Sequence, residues 1–174
     1  MSSTRSSRGN PSMGDVLRSM GVLALVILAI WGFGKIFTQT PDAPTPSVDY
    51  AATLKSARPA ADFALLAPPA LPAGWKATSV RFDPQSWHLG VLTADGDYIG
   101  LEQAKISVDR AADQFAKGSA AAGTARIGSE TWNVRKGPRH YLTYVRSQGG
   151  LTTLVTGDAP RRTVEGYISS LSAS

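Results

Sequence analysis

The chain has no cysteine, which excludes disulfide bonds, thiol nucleophiles and thiolate metal sites together. Histidine is scarce: His88 and His140 are the only two. Neither belongs to a His-x-x-x-His or His-x-x-Glu-His spacing, so no metal is expected. No P-loop or dinucleotide fingerprint is present, so no cofactor is expected either. The folded part also lacks a Gly-x-Ser-x-Gly elbow and a Ser-x-x-Lys pair, the local signatures of an activated serine. A carboxylate pair, Glu102 with Asp83 or Glu130, would serve glycoside cleavage only if the fold brought its members together.

Charge is also sparse, at 18% of residues, and its small excess is unevenly placed. Four of the 18 Lys and Arg (Arg5, Arg8, Arg18 and Lys35) and one of the 13 acidic residues (Asp15) precede Thr38, so most of the net +5 belongs to the amino-terminal segment. The remainder is close to neutral, which gives no reason to expect a nucleic-acid partner.

What the chain does have is one long apolar run. From Ser19 to Phe37, about 19 residues carry Lys35 as their only charge, and a helix of that length covers roughly 28 Å, enough for a bilayer core. Lys35 lies within a turn of the end, where its stem can carry the ammonium to the headgroups. Trp31, Phe33 and Phe37 suit an interfacial belt at the same end. Apolar residues surround the segment on every face, whereas a soluble helix would show a polar stripe. The flanking arginines place the amino terminus in the cytoplasm. Thr38-Gln39-Thr40-Pro41 offers no small-residue cleavage pattern, so an uncleaved anchor is expected. Gly21 lies too far from Gly32 and Gly34 for a close Gly-x-x-x-Gly pair, and the oligomeric state is left open.

The expected organisation is a disordered cytoplasmic tail at 1–15, a transmembrane helix at 16–37 (Val16 to Phe37), a Pro-rich linker at 38–47 and an extracytoplasmic domain at 48–174. Pro41, Pro44 and Pro46 favour an extended spacer. The last part, about 125 residues, is long enough for one domain with its own core.

Within that domain, Tyr50, Leu54 and Ala57 have helical spacing, ended before Pro59. Trp75 to Phe82 reads as a strand in which Trp75, Ala77, Ser79 and Arg81 alternate with Lys76, Thr78, Val80 and Phe82. Trp87 to Thr93 and Tyr98 to Gln103 flank Asp95-Gly96, which suits a two-residue type I′ hairpin turn. That register places His88, Gly90, Leu92, Ile99, Leu101 and Gln103 on one face, and Trp87, Leu89, Val91, Tyr98 and Glu102 on the other. Both faces then carry apolar residues, as in a central hairpin with cover on each side. Ser107 caps a helix with Val108, Ala111, Ala112 and Phe115 on one stripe and Gly118 at its end. Thr124–Ile127, Thr131–Lys136, Arg139–Ser147 and Leu151–Thr156 read as a meander, and Gly149-Gly150 as a turn needing positive φ. A final helix follows Pro160, with Val164, Tyr167, Ile168 and Leu171 on one stripe, and the chain ends there.

The expected fold is therefore α+β: a mainly antiparallel sheet covered by two or three helices, similar in element order to a PsbP-like sandwich. The candidate ligand or partner surface is the open end of the hairpin, Trp87, His88, Glu102 and Gln103, which mixes aromatic area with polar groups. A candidate anionic-ligand patch comprises Arg135, Lys136, Arg139 and Arg146, although such cations more often form a solvated face beside acidic neighbours.

Three stretches carry a resemblance: Leu71-Pro72-Ala73-Gly74-Trp75, Trp87-His88-Leu89-Gly90 and Tyr98-Ile99-Gly100-Leu101-Glu102-Gln103, all following a short tail and one apolar segment. The chain resembles the actinobacterial membrane-protein family called domain of unknown function 4245. The resemblance implies a cell-envelope location and topology, and assigns no activity or catalytic residue. The expected function is a membrane-anchored, non-enzymatic domain that binds another protein of the envelope or membrane. The alternatives are a domain binding lipid or cell-wall polymer and, less favoured, a cell-wall hydrolase.

Overall fold

The computed structural model describes residues 13, 14, 17, 18, 20–27 and 46–173. The chain divides into two units, Met1–Pro44 and Thr45–Ser174. In the first unit all the described residues are helical, including Met13 and Gly14, which the sequence assigns to the disordered tail. Leu17, Met20, Leu23, Leu25 and Ile27 are exposed there. The remainder of the expected membrane span, Val16, Ser19 and 28–37, lies outside the described residues, as does most of the Pro-rich linker. Among the described residues no helix is long and apolar enough to cross a membrane.

The second unit is an α+β domain. Helix α1 (Tyr50–Ala57) starts at Asp49, whose Oδ1 accepts from the Ala52 amide at 3.0 Å, and passes into a 3₁₀ turn at Arg58–Ala60, where Pro59 lacks the donor to continue it. Strands β2 (Lys76–Asp83), β3 (Ser86–Leu92) and β4 (Tyr98–Ala104) form one antiparallel meander. Helix α2 (Val108–Phe115) carries the chain to the far edge, where β5 (Ala120–Ile127), β6 (Glu130–Lys136), β7 (Leu142–Gln148) and β8 (Leu151–Gly157) form the second. That return brings β8 beside β4 and closes one seven-stranded sheet, ordered β2-β3-β4-β8-β7-β6-β5. Helix α3 (Arg161–Ser170) follows.

The two faces of the sheet are covered unequally. One face carries Trp87, Leu89, Val91, Ile99, Leu101, Val155, Tyr144 and Val134, and packs with Leu54 and Ala57 of α1 and Val164, Tyr167 and Ile168 of α3 into the main core. Trp87 is fully buried there, and its truncation to Ala costs about 3–5 kcal/mol by the usual behaviour of core aromatics. Among the described residues of this unit, the other face is covered only in part. Ala111 of α2 packs on Val145 of β7 and Leu154 of β8, with Ile106, Val108 and Phe115 around them.

Several expectations change. The hairpin loop has three residues: the Thr93 amide donates to Asp97 O at 2.8 Å, the Gly96 amide to Thr93 O at 3.1 Å, and Gly96 takes φ +88°. This is a turn closed by a glycine bulge instead of a two-residue type I′ turn. The added residue slides one strand against the other, so Trp87 faces Gln103 and His88 faces Glu102, in place of His88 facing Gln103. A one-residue slip turns a strand's whole side-chain set over. A second bulge between Ala77 and Ser79 breaks the alternation expected for β2. Ala77 therefore shares the core face with Val80 and Phe82, while Ser79 and Arg81 turn outward.

Arg139 and His140 are not in a strand but in a 3₁₀ turn (Pro138–His140), with φ +54° and +66°. The last helix does not end the domain either. A short strand β9 (Ser172–Ala173) pairs with β1 (Leu66–Ala67), the segment on which Trp87 and Gln103 act. Gly149 and Gly150 do take positive φ, at +59° and +80°, in the β7–β8 turn.

Candidate functional site

The corrected register separates the four hairpin residues into two pairs with different surroundings. Trp87 and Gln103 point into the core, 0% and 1% exposed. Trp87 Nε1 donates to Leu66 O at 2.9 Å, Gln103 Nε2 donates to Ala64 O at 3.2 Å, and the Leu66 amide donates to Gln103 Oε1 at 2.7 Å. Their polar atoms thus hold the 64–66 segment against the sheet, satisfying buried groups that would otherwise be costly.

His88 and Glu102 lie on the opposite face, 15% and 16% exposed. They are directly opposite one another on β3 and β4, and His88 Nδ1 stands 2.5 Å from Glu102 Oε1. Ser79, turned outward by the β2 bulge, places Oγ 2.8 Å from His88 Nε2. Glu102 Oε1 accepts a hydrogen bond from His88 Nδ1, and in the neutral ring that tautomer leaves Nε2 as the acceptor facing the serine hydroxyl. Three strands thereby contribute one hydroxyl–imidazole–carboxylate relay.

Two glycines make room beside it. Gly90 opposes both Ser79 and Gly100. A Cβ at Gly90 would meet Ser79 Oγ and, at 2.9 Å, the Tyr98 hydroxyl; one at Gly100 would meet the Tyr98 ring at 3.1 Å. The Tyr98 ring therefore lies over the glycine pair, an aromatic side chain covering backbone that glycine leaves bare. Burial holds the Tyr98 hydroxyl above its ordinary pKa and the Glu102 charge adds to this, while the hydrogen bond with Ser79 opposes them. Tyr98 accordingly keeps its proton and remains a donor at neutral pH.

Beside the relay runs a groove of about 250 Å³, lined among others by Arg81, Asp83, Gln85, Lys105, Gln114 and Phe115, with His88 and Glu102 in its wall. Lys105 is paired with Asp62 at 2.6 Å. Of the carboxylates considered from sequence, Asp83 and Glu102 share this groove, whereas Glu130 pairs with Arg146. Among the described residues no three His, Asp or Glu side chains are grouped so as to hold a metal ion.

The four cations of the sequence-based patch do not share a surface. Arg135 is tied back to Ser119, through Nε to Oγ at 2.9 Å and through Nη2 to the carbonyl at 2.7 Å. Arg146 extends from the opposite face of the sheet, 2.5 Å from Glu130 and 5.2 Å from the centre of the Trp132 ring. Lys136 closes β6 opposite Leu142, and Arg139 sits in the following 3₁₀ turn, lining a separate cavity of about 280 Å³ with Tyr141 and Phe115.

Sequence reading found His88 and Glu102 but missed Ser79 and Tyr98. Alternation without the bulge leaves Ser79 among the Ala77 set, and the slipped register puts Tyr98 with Trp87. A usable signal was present in Gly90 and Gly100: two glycines at the same distance from the Asp95 loop are natural cross-strand partners, and pairing them fixes the observed register.

No curated protein and no solved structure matches the chain. One family model does, over residues 8–171, so it takes in the apolar segment as well as the sheet and its helices. The chain belongs to the family described as protein of unknown function, DUF4245.

Proposed function

We propose that this chain is a single-pass cell-envelope protein, held by residues 16–37 with its amino terminus in the cytoplasm, whose outer domain binds another protein of the envelope or membrane. The apolar run and its arginine flank support the anchor. The observation that carries the binding reading is the unequal cover of the sheet: α2 packs on β7 and β8, while the β2–β4 half of that face holds half-buried Ser79, His88, Tyr98 and Glu102 beside a groove. Polar groups on an uncovered sheet face, bordered by a concavity, are the material of a recognition surface.

Two measurements test this reading. The full chain should sediment with membranes and need detergent for release, and deletion of 16–37 should free it. A photocrosslinking side chain at Gln85, beside the groove, should capture a specific envelope protein, and the same probe at Lys55 on α1 should not. Capture should disappear on Arg81→Glu. Equal capture from both positions, or capture indifferent to Arg81→Glu, would overturn the assignment of the surface.

A further inference from the structure

We propose that Ser79, His88 and Glu102 form a nucleophile, base and orienting carboxylate that hydrolyse a small carboxylic ester presented to the open half of the sheet. The inference rests on the reading of that half as the ligand face, and extends it from binding to chemistry. A serine hydroxyl is a weak nucleophile unless a base stands within hydrogen-bond reach and that base is held by a third group. Both separations are met here, 2.8 Å from Ser79 Oγ to His88 Nε2 and 2.5 Å from His88 Nδ1 to Glu102 Oε1. The order of atoms also matches the chemistry, because the carboxylate occupies Nδ1 and leaves Nε2 free to take the serine proton.

The surrounding backbone favours this arrangement over simple sheet stability. Ser79 faces outward only because a bulge interrupts β2, and bulges commonly re-aim a side chain beside a functional site. Gly90 and Gly100 stand within β3 and β4, where glycine weakens a strand, and they open the space occupied by Ser79 Oγ and the Tyr98 hydroxyl. Departures from local preference gathered at one place are what a functional site produces. The local sequence signatures of serine hydrolases are absent because these three residues come from three strands, and such a constellation is recognised by geometry and role.

The reaction balances without any further reagent than water. Ser79 Oγ adds to the ester carbonyl carbon as its proton passes to His88 Nε2. The resulting oxyanion accepts a hydrogen bond from the Tyr98 hydroxyl, which supplies the donor that acyl transfer needs. Collapse breaks the bond to the alcohol oxygen, which leaves with the proton from Nε2, and the acyl group remains on Ser79. Water then gives a proton to Nε2 and adds to the acyl carbon. The Ser79 ester bond breaks, Oγ recovers the proton, and the carboxylic acid departs. His88 and Glu102 also wall the groove of about 250 Å³, which gives a small ester room beside the relay.

The test uses the full chain purified in detergent. A fluorophosphonate should give a single adduct, mapped by peptide mass spectrometry to Ser79 and absent from His88→Asn. Turnover of p-nitrophenyl acetate should fall at least about 100-fold in Ser79→Ala, a change of one oxygen atom. Glu102 acts through His88 as a positioning residue, so Glu102→Gln should lower kcat and leave KM unchanged. No adduct on Ser79 of the unaltered chain, or equal turnover by Ser79→Ala, overturns the proposal whatever the stability of the variants. Capture at Gln85 persisting alongside that result would leave the binding reading standing. Loss of the capture with the adduct present would remove the protein partner and keep the chemistry.

Discussion

Replacing Gln103 by Leu tests the core-facing half of the hairpin directly. The two side chains are close in volume, so the packing around position 103 changes little, while two hydrogen bonds to the 64–66 segment vanish. The Leu66 amide loses its 2.7 Å acceptor and the Ala64 carbonyl its 3.2 Å donor. A buried amide left unpaired costs about 1–3 kcal/mol, and Ala64 is exposed, so its carbonyl can turn to water for a loss of only about 1 kcal/mol. Together the variant should lose about 2–4 kcal/mol, a large share of an ordinary domain's ~5–15 kcal/mol but not all of it. Urea unfolding followed by tryptophan fluorescence reads this as a midpoint lowered by roughly 1–2 M at unchanged slope. Trp87→Phe removes the donor to Leu66 O, so the two changes act on one residue. The double variant should be less destabilised than the sum of the singles by at least ~0.5 kcal/mol. A midpoint within about 0.3 M of the unaltered chain would refute the claim that these side chains hold the 64–66 segment by hydrogen bonding.

Two further outcomes follow from other parts of the fold. Gly100→Ala sets a methyl group against the Tyr98 ring at 3.1 Å, so overpacking should cost about 1–3 kcal/mol and lower Tm by roughly 5–10 °C; an unchanged Tm in calorimetry contradicts the ring's placement. Tyr144 donates to Glu165 Oε1 at 3.0 Å, and burial followed by the Glu165 hydrogen bond pushes its pKa from 10.0 up to about 12. Because the folded state favours the protonated phenol, this stabilisation is complete below about pH 10 and is lost as pH rises through about 12. The stability difference between the unaltered chain and Tyr144→Phe should therefore shrink over that window in urea titrations, and a difference independent of pH would contradict the assignment.

The elements themselves were legible wherever periodicity and punctuation agreed. Ser107 before Val108–Phe115 marks the start of a helix, and its side chain caps it through a local hydrogen bond to the Arg110 amide. Gly149-Gly150 likewise marks a turn, because few residues other than glycine enter the positive-φ region readily. The Pro138–His140 turn was not legible. Arg139 and His140 alternate well enough with their neighbours to extend a strand, and only their φ angles show otherwise.

The sequence by itself determined the chemistry this chain can carry and the kinds of elements it forms. It holds no thiol, two histidines, one long apolar run and an α+β pattern, and those properties reside in single residues or in short-range spacing. Tertiary structure decided which residues meet. A third loop residue, Ala94, and a bulge at Thr78 each displace a strand by one position, and the period of two along a strand converts that step into an exchange of faces. Trp87 and Gln103 consequently became part of the core, while His88 and Glu102 were joined on the open face by Ser79 and Tyr98. Hydrophobic pattern left the register ambiguous, because apolar side chains occur on both faces of this hairpin. The equal spacing of Gly90 and Gly100 from Asp95 is a sequence signal for the pairing, and the packing of Tyr98 over both glycines enforces it once the strands are side by side.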